Sequence, residues 1–272
     1  MLVGMSLKGK YMDQLNFVGK NVLVTGGASG IGKATAKLFA NIGARVAISD
    51  IDETKAKSVA LELGKEHVLA PGDVTNEKSV SEILSVAKTG LGAIDVLINC
   101  AGVSDVVLPT LEQDIDQWQN IIDINLTGTY LTCRAVAPDM LNKGAGAIVN
   151  ISSISGLVGM PYRNAYTASK HGVAGITKTL ASEWGQHGLR VNAVSPAYVL
   201  TPMVQKLIDS GKLDTKVLQR RTPMGRLAAP EEVANAMIFL ASPLASYING
   251  AVLPIDGGWT AYGDAAPAVD VV

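Results

Sequence analysis

NVLVTGGASGIG, residues 21–32, decides the fold. An apolar, β-prone run ends at Thr25, and glycines crowd the positions that follow. Helical periodicity then begins at Ile31, with Ala34, Leu38 and Phe39 expected on one stripe. Strand, tight turn and helix in that order make the first half of a β-α-β unit. Glycines at the turn let a backbone approach a pyrophosphate, and a helix N-terminus offers it free N–H groups and positive dipole. Gly26, Gly30 and Gly32 are spaced G-x-x-x-G-x-G rather than G-x-G-x-x-G. A glycine turn without a ligand is the plain alternative at this point.

The same alternation continues outward. Near-continuous apolar runs occupy residues 21–26, 45–50, 67–74, 95–102, 147–153, 190–196 and 251–258. Such runs suit strands covered on both faces. Helical patterns fill the gaps at 31–41, 54–63, 78–88 and 116–142, the last expected to break or bend near Pro138. The expected fold class is α/β: a single-domain, doubly wound, Rossmann-type parallel sheet of about seven strands with helices on both faces. One dinucleotide-binding and catalytic domain is expected over 1–272, with a core at 17–262 and terminal extensions at 1–16 and 263–272.

Composition narrows the function. Of 272 residues, 23 are Lys or Arg and 24 Asp or Glu, for a net charge of −1, while 48% are hydrophobic. Disorder needs fewer apolar residues and more net charge. A nucleic-acid partner would call for a basic excess that is absent. The uncharged part of residues 233–255 is interrupted by Asn235, Pro243, Asn249, Gly250 and Pro254, so it reads as core helix, turn and buried strand, not as a membrane span. The opening stretch MLVGMSLKGKYMDQLNF lacks the apolar run of a signal peptide. Cys100 and Cys133 have neither redox nor metal spacing, and His67, His171 and His187 are scattered, so no metal site is expected. The expected location is the cytoplasm.

Asp50 closes the second strand, 18 residues after Gly32. A carboxylate there can accept both hydroxyls of an adenosine ribose and would repel a 2′-phosphate. Neither Ser29 nor Ile51 is a cation, and the three residues together favour NAD over NADP. Capping the next turn is the simpler role for Asp50. Tyr166 and Lys170 stand at i and i+4 and share a helix face, with Val173, Ile176, Leu180 and Trp184 continuing into the core. An ammonium one turn away is expected to favour the phenolate, making Tyr166 a proton exchanger near neutral pH. A solvent-facing Tyr–Lys pair is the simpler reading of these two residues alone.

Taken in order, these motifs resemble the short-chain dehydrogenase/reductase family over residues 17–259. The family's T-G-x-x-x-G-x-G matches Thr25 to Gly32, and its N-N-A-G matches Asn99, Cys100, Ala101 and Gly102, with Cys in place of the second Asn. Its active-site Asn matches Asn125, its Ser matches Ser153, 13 residues before Tyr166, and its Tyr and Lys match Tyr166 and Lys170. Its P-G reads Pro196-Ala197, followed by Thr201. The resemblance implies catalytic Asn125, Ser153, Tyr166 and Lys170. Tyr166 would act as general acid/base, Ser153 would stabilise the substrate oxygen, Lys170 would hold the nicotinamide ribose, and Asn125 would hold a water.

For the cofactor, the resemblance implies Gly26, Ser29, Gly30 and Ile31 at the pyrophosphate turn. Asp50 and Ile51 would lie at the ribose, Asp73 and Val74 at the adenine, and Asn99, Ala101 and Gly102 along the adenosine side. Pro196, Val199 and Thr201 would lie beside the nicotinamide, with Tyr166 and Lys170. Ala197, in place of Gly, is expected to cost about 1 kcal/mol if an unusual backbone angle is needed there.

A lid is expected over 200–226. Substrate would meet Ser153, Ile154, Tyr166, Tyr198 and Met203, with Val106, Val107 and Met160 further candidates. The apolar lid suggests a small ketone or secondary alcohol, whereas the stretch 236–256 resembles family members that handle sugars or polyols. The expected activity is hydride transfer between NAD(H) and such a substrate by a homotetramer or homodimer. An NADP-linked 3-ketoacyl or carbonyl reductase is the alternative enzyme, and a non-catalytic nucleotide sensor the alternative class.

Overall fold

The computed structural model describes residues 15–211, 213–264 and 266–269. Of the expected terminal extensions, residues 1–14, 265 and 270–272 lie outside these, as does residue 212 of the expected lid. Seven strands form one parallel sheet: β1 (Asn21–Thr25), β2 (Arg45–Ser49), β3 (Val68–Leu69), β4 (Val96–Asn99), β5 (Gly146–Ile151), β6 (Leu189–Pro196) and β7 (Val252–Ile255). Their order is β3-β2-β1-β4-β5-β6-β7. The chain runs outward from β1 to β3 and returns to the other side of β1 with β4. The two directions part between β1 and β4, and a crevice opens at the carboxyl ends there.

Side chains alternate across the sheet and build a core on each face. Val22, Val24, Val96 and Ile98 pack on one side with Phe39, Val233 and Met237. Leu23, Leu97, Ile148 and Val191 pack on the other with Ile83, Val136 and Met140. The helices are α1 (Gly30–Asn41), α2 (Glu53–Leu63), α3 (Glu77–Leu91), α4 (Ile115–Ile122), α5 (Gly128–Lys143), α6 (Asn164–Trp184), α7 (Pro202–Asp209), α8 (Thr215–Arg221) and α9 (Pro230–Ala241). Asp52, Asn76 and Asp114 cap α2, α3 and α4 by accepting the backbone N–H of Lys55, Ser79 and Gln117. Among the described residues, no helix is long and apolar enough to cross a membrane.

Several expectations need correction. The run at 67–74 yields only the two-residue β3; beyond it Ala70 and Gly72 still donate to the Ile48 and Asp50 carbonyls as the chain passes the end of β2. β7 is partly exposed rather than buried, being the outermost strand. The buried stripe of α1 is Gly32, Thr35, Ala36 and Phe39, while Ala34 and Leu38 flank it half-buried. On α6, Val173 and Leu180 are buried, but Ile176 and Trp184 only half so. The long pattern at 116–142 breaks at one π-helical turn, Asp123–Thr127, and α5 runs on through Pro138. A π-turn inserts an extra residue into the helical ladder and re-aims its side chains, here burying Asn125.

His67 ties the sheet edge together. Its side chain is 3% exposed, and its Nδ1 accepts the Val46 N–H at 3.1 Å, so that nitrogen must be free of a proton. Burial lowers its pKa, against the pull of Glu66 and with some help from Arg45. The unfolded chain therefore takes up a proton near pH ~6.5 that the folded chain refuses. Stability is expected to be full above that pH and to fall as pH drops toward the lower folded value. His67→Gln should flatten melting temperature against pH in this window. An unchanged slope would refute the assignment.

Candidate active site

The first turn of α1 is built to receive an anion. Ser29 precedes it in extended conformation without using its side chain as a cap, and no acidic residue stands in that turn. Its leading N–H groups therefore lack side-chain partners and face a cavity of about 480 Å³, lined there by Gly26, Ser29, Gly30 and Ile31. Gly26 has φ +64°, and a Cβ on it would meet the Ala101 nitrogen at 2.6 Å. A Cβ on Gly32 would meet the Gly26 oxygen at 2.1 Å. Both glycines are thus needed for β1, α1 and the end of β4 to converge. A cradle of this shape fits a dinucleotide pyrophosphate.

Asp50 and Ile51 lie on the next part of the wall, followed by Asp73 and Val74. Asp50 uses one carboxylate oxygen on the Ala28 N–H and the other on the Asp52 N–H, both at 3.1 Å. It does brace the turns, yet a carboxylate offers about four lone-pair directions, and half remain for a ligand. Asp73 is tied to the Thr75 N–H and hydroxyl, each at 2.8 Å. Ala101, Gly102, Thr201 and Met203 complete the wall, with Tyr166 and Lys170 at its far end. The Thr201 hydroxyl caps α7 by accepting the Val204 N–H.

Other expected contacts lie behind the wall. Asn99 is 2% exposed and works within the protein. Its Nδ2 donates to Asn150 Oδ1 at 3.0 Å, and its Oδ1 accepts from Thr132 at 2.8 Å and Thr25 at 3.3 Å. Asn150 in turn donates to Thr177 on α6. This buried network joins β1, β4, β5, α5 and α6, so satisfying it holds α6 in register with the sheet. Pro196 and Val199 are buried, and the Val199 carbonyl accepts the Thr201 N–H. Ile154 is buried, and Tyr198 lines a smaller neighbouring cavity of about 90 Å³. Ala197 causes no backbone strain: among the described residues, Tyr162 alone of the non-glycines has positive φ. Asn120, Ile124, Ser104 and Thr75 do line the cavity. No spacing marks them, because they come from four separate places: α4, the π-turn, and the loops after β4 and β3.

The reactive groups converge from three elements. Ser152 donates from its hydroxyl to the Lys170 carbonyl at 2.9 Å, clamping α6 to the end of β5. Ser153, next to it, accepts the Ser155 N–H at 3.1 Å, and its hydroxyl bears on the Tyr166 phenol, working against the rise that burial causes. Lys170 is 3% exposed, and its Nζ donates to the Ile151 carbonyl at 3.0 Å. Burial pushes its pKa down to about 8. Asn125 is fully buried and clamps Val103, accepting its N–H at 2.8 Å and donating to its carbonyl at 3.0 Å. The amide thus fixes the loop that carries Ser104.

The expected phenolate preference is not met by these residues alone. Desolvation raises the Tyr166 pKa; the Ser153 hydrogen bond and the Arg163 charge oppose it, and Asp105 reinforces it. The Lys170 ammonium points to Ile151, with Nζ 5.6 Å from the Tyr166 ring centre. Cys100, also on the wall, is no nucleophile, since burial raises its thiol to about 12.

Comparison with known proteins agrees with this geometry. A family model described as enoyl-(acyl carrier protein) reductase matches residues 26–260. D-threitol dehydrogenase of Mycolicibacterium smegmatis is 44% identical over 245 residues, covering 89% of this chain and 93% of that one. The chain belongs to the short-chain dehydrogenase/reductase family. As a short-chain dehydrogenase/reductase it is an oxidoreductase acting on CH–OH groups, with a nicotinamide cofactor. A 3-oxoacyl-(acyl-carrier-protein) reductase of Thermotoga maritima is 40% identical over 248 residues, covering 88% of this chain and 97% of that one. The crystal structure of levodione reductase superposes with a TM-score of 0.86 at 32% identity, covering 91% and 100% of the two chains.

Proposed function

We propose that this short-chain dehydrogenase/reductase transfers hydride between NAD(H) and a small secondary alcohol or ketone, a polyol or hydroxy ketone above all. The observation that carries the reading is the convergence of Tyr166 and Lys170 on the wall of a glycine-cradled cavity, with Ser153 bearing on the phenol. When bound, the nicotinamide ring supplies or accepts the hydride. Tyr166 gives or takes the hydroxyl proton. Ser153 donates to the same substrate oxygen and stabilises its developing charge. Lys170 holds the nicotinamide ribose, and its positive charge favours the ionised phenol once it turns from Ile151. Asn125 keeps the β4 loop in place and, through its neighbouring backbone, holds a water beside Lys170. Met203 on α7 closes over the substrate.

NAD is supported by the free lone pairs of Asp50 and by the neighbouring cations being engaged elsewhere. Lys33 and Lys37 both pair with Glu62, Lys33 at 3.1 Å. A polyol is supported by the likeness to D-threitol dehydrogenase. Two free cysteines suit a reducing compartment such as the cytoplasm, and assembly as a homotetramer or homodimer is part of the same reading. Nicotinamide absorbance, followed with NAD(H) and NADP(H) across polyols, cyclic secondary alcohols, simple ketones and a 3-ketoacyl thioester, tests it. NAD(H)-linked turnover of a polyol or hydroxy ketone is expected. A strong preference for NADPH with the thioester would overturn both the cofactor and the substrate assignment.

A further inference from the structure

Arg163 stacks on the ring of Tyr166, its guanidinium carbon 4.5 Å from the ring centre. Its Nε bonds Asp105 Oδ1 at 2.9 Å and its Nη2 donates to Ser104, so the fork is held from the β4 loop while its face lies on the phenol. Side-chain exposure is 20% for Arg163 and 7% for Asp105. An Arg–Asp pair this secluded is costly to build, because both charges lose water. The cost is compounded on Asp105, whose buried Oδ2 has no hydrogen-bond partner among the described residues.

The backbone around the pair is also strained. Tyr162, the residue before Arg163, is left-handed at φ +67° with its own side chain exposed. That conformation disfavours a side chain. It persists because the β4 loop grips it. The Tyr162 carbonyl accepts the Leu108 N–H and the Gln113 amide, both at 3.2 Å, and Asn164 donates to Thr110 at 2.8 Å. Strain, a secluded ion pair and an orphaned carboxylate oxygen thus meet beside one phenol. Strain held at such a point is a reason to look for function.

We infer that Arg163 is a positioning residue for Tyr166, and that the Arg163–Asp105 pair tunes the phenol's proton affinity, the two charges acting in opposite directions. The inference rests on the proposed acid/base role of Tyr166. The groups facing that phenol are Arg163 from the residue just before α6, Lys170 from α6, Asp105 from the β4 loop and Ser153 from the β5 loop. Lys170 is directed at Ile151, which leaves Arg163 the charge nearest the ring face. The Arg163 charge also works against the rise that burial causes in the Tyr198 phenol next door. Asp105 offsets that charge and keeps the fork from swinging into the space left for substrate.

The test is the ultraviolet ionisation of Tyr166 in the full-length protein with NAD, read as the difference between each variant and its Tyr166→Phe counterpart. The pH profile of kcat/KM with D-threitol runs alongside. Arg163→Met is expected to raise the Tyr166 midpoint by about one pH unit and Asp105→Asn to lower it by a similar amount, as expected for a charge a few ångströms away. Arg163→Lys should stay near the wild type in charge yet lose part of kcat, since an ammonium cannot stack as the planar fork does. A purely structural pair would shift both midpoints the same way or leave both unmoved, and either result overturns the inference. If Arg163→Met does not fold, Asp105→Asn and Arg163→Lys decide it. Absence of activity on every alcohol would sink the proposed function while the titration still judges the pair.

Discussion

Tyr166→Phe is expected to lower turnover by roughly 10²–10⁴-fold while NAD(H) affinity stays near that of the wild type. The hydroxyl removed is the proposed proton exchanger, whereas the ring remains under the Arg163 guanidinium and keeps its packing. Folding should be nearly unaffected, since the ring itself is retained. The pH dependence follows from the direction of the shift. Desolvation holds the Tyr166 phenol above its ordinary value in the ligand-free protein. Alcohol oxidation, which needs the ionised phenol, should therefore rise with pH through the alkaline range, and at lower pH once a cationic cofactor ring lowers the midpoint. Steady-state rates across pH, with fluorescence titration of cofactor, check both parts. Near-normal turnover in the Phe variant would remove Tyr166 from the chemistry.

Lys170→Ala is expected to weaken catalysis and cofactor binding together. The ammonium is almost wholly buried, anchored on Ile151, and packed close to Gly102, where an added Cβ would stand 3.6 Å from Nζ. Losing one or two charge-assisted hydrogen bonds to a ribose should cost about 1.5–3 kcal/mol, roughly 10- to 100-fold in Kd. Turnover should fall by about 10²-fold or more through the lost support of the phenolate. Truncation also leaves a cavity, so Lys170→Met serves as the packing control: it should restore melting temperature and not affinity. Because burial brings the ammonium down to about 8, it is charged below that pH and neutral above it. Wild-type NAD affinity should therefore decline above about pH 8, and the Met variant should lack that decline. Equal NAD affinity in wild type and variant would reject the ribose assignment.

Much of the cavity wall was legible because its residues are local in sequence. Thr25 to Gly32 lie within one turn, and Asp50 and Ile51 end the neighbouring strand. The substrate half was less so. Ile154 and Tyr198 are close in sequence to candidate site residues yet lie off the main cavity, while Ile124 reaches it from a π-turn that hydrophobic periodicity cannot reveal, and Asn120 from the end of α4 just before it. Asn99 was misjudged for a related reason. Its place beside the cavity wall is local, but whether its amide faces ligand or core depends on Thr132, Asn150 and Thr177 far along the chain.

Sequence alone determined the parallel α/β architecture, the glycine cradle and the helical spacing that puts Tyr166 and Lys170 on one face. Each is a matter of backbone sterics or short-range periodicity, which a few neighbouring residues dictate. Tertiary structure alone decided how those groups are charged. Burial sets the ammonium near pH 8 and lifts the phenol, and a left-handed residue turns Arg163 onto Tyr166 opposite Asp105. Proton affinities depend on desolvation and on charges brought together across 58 residues of chain, and no local pattern encodes either.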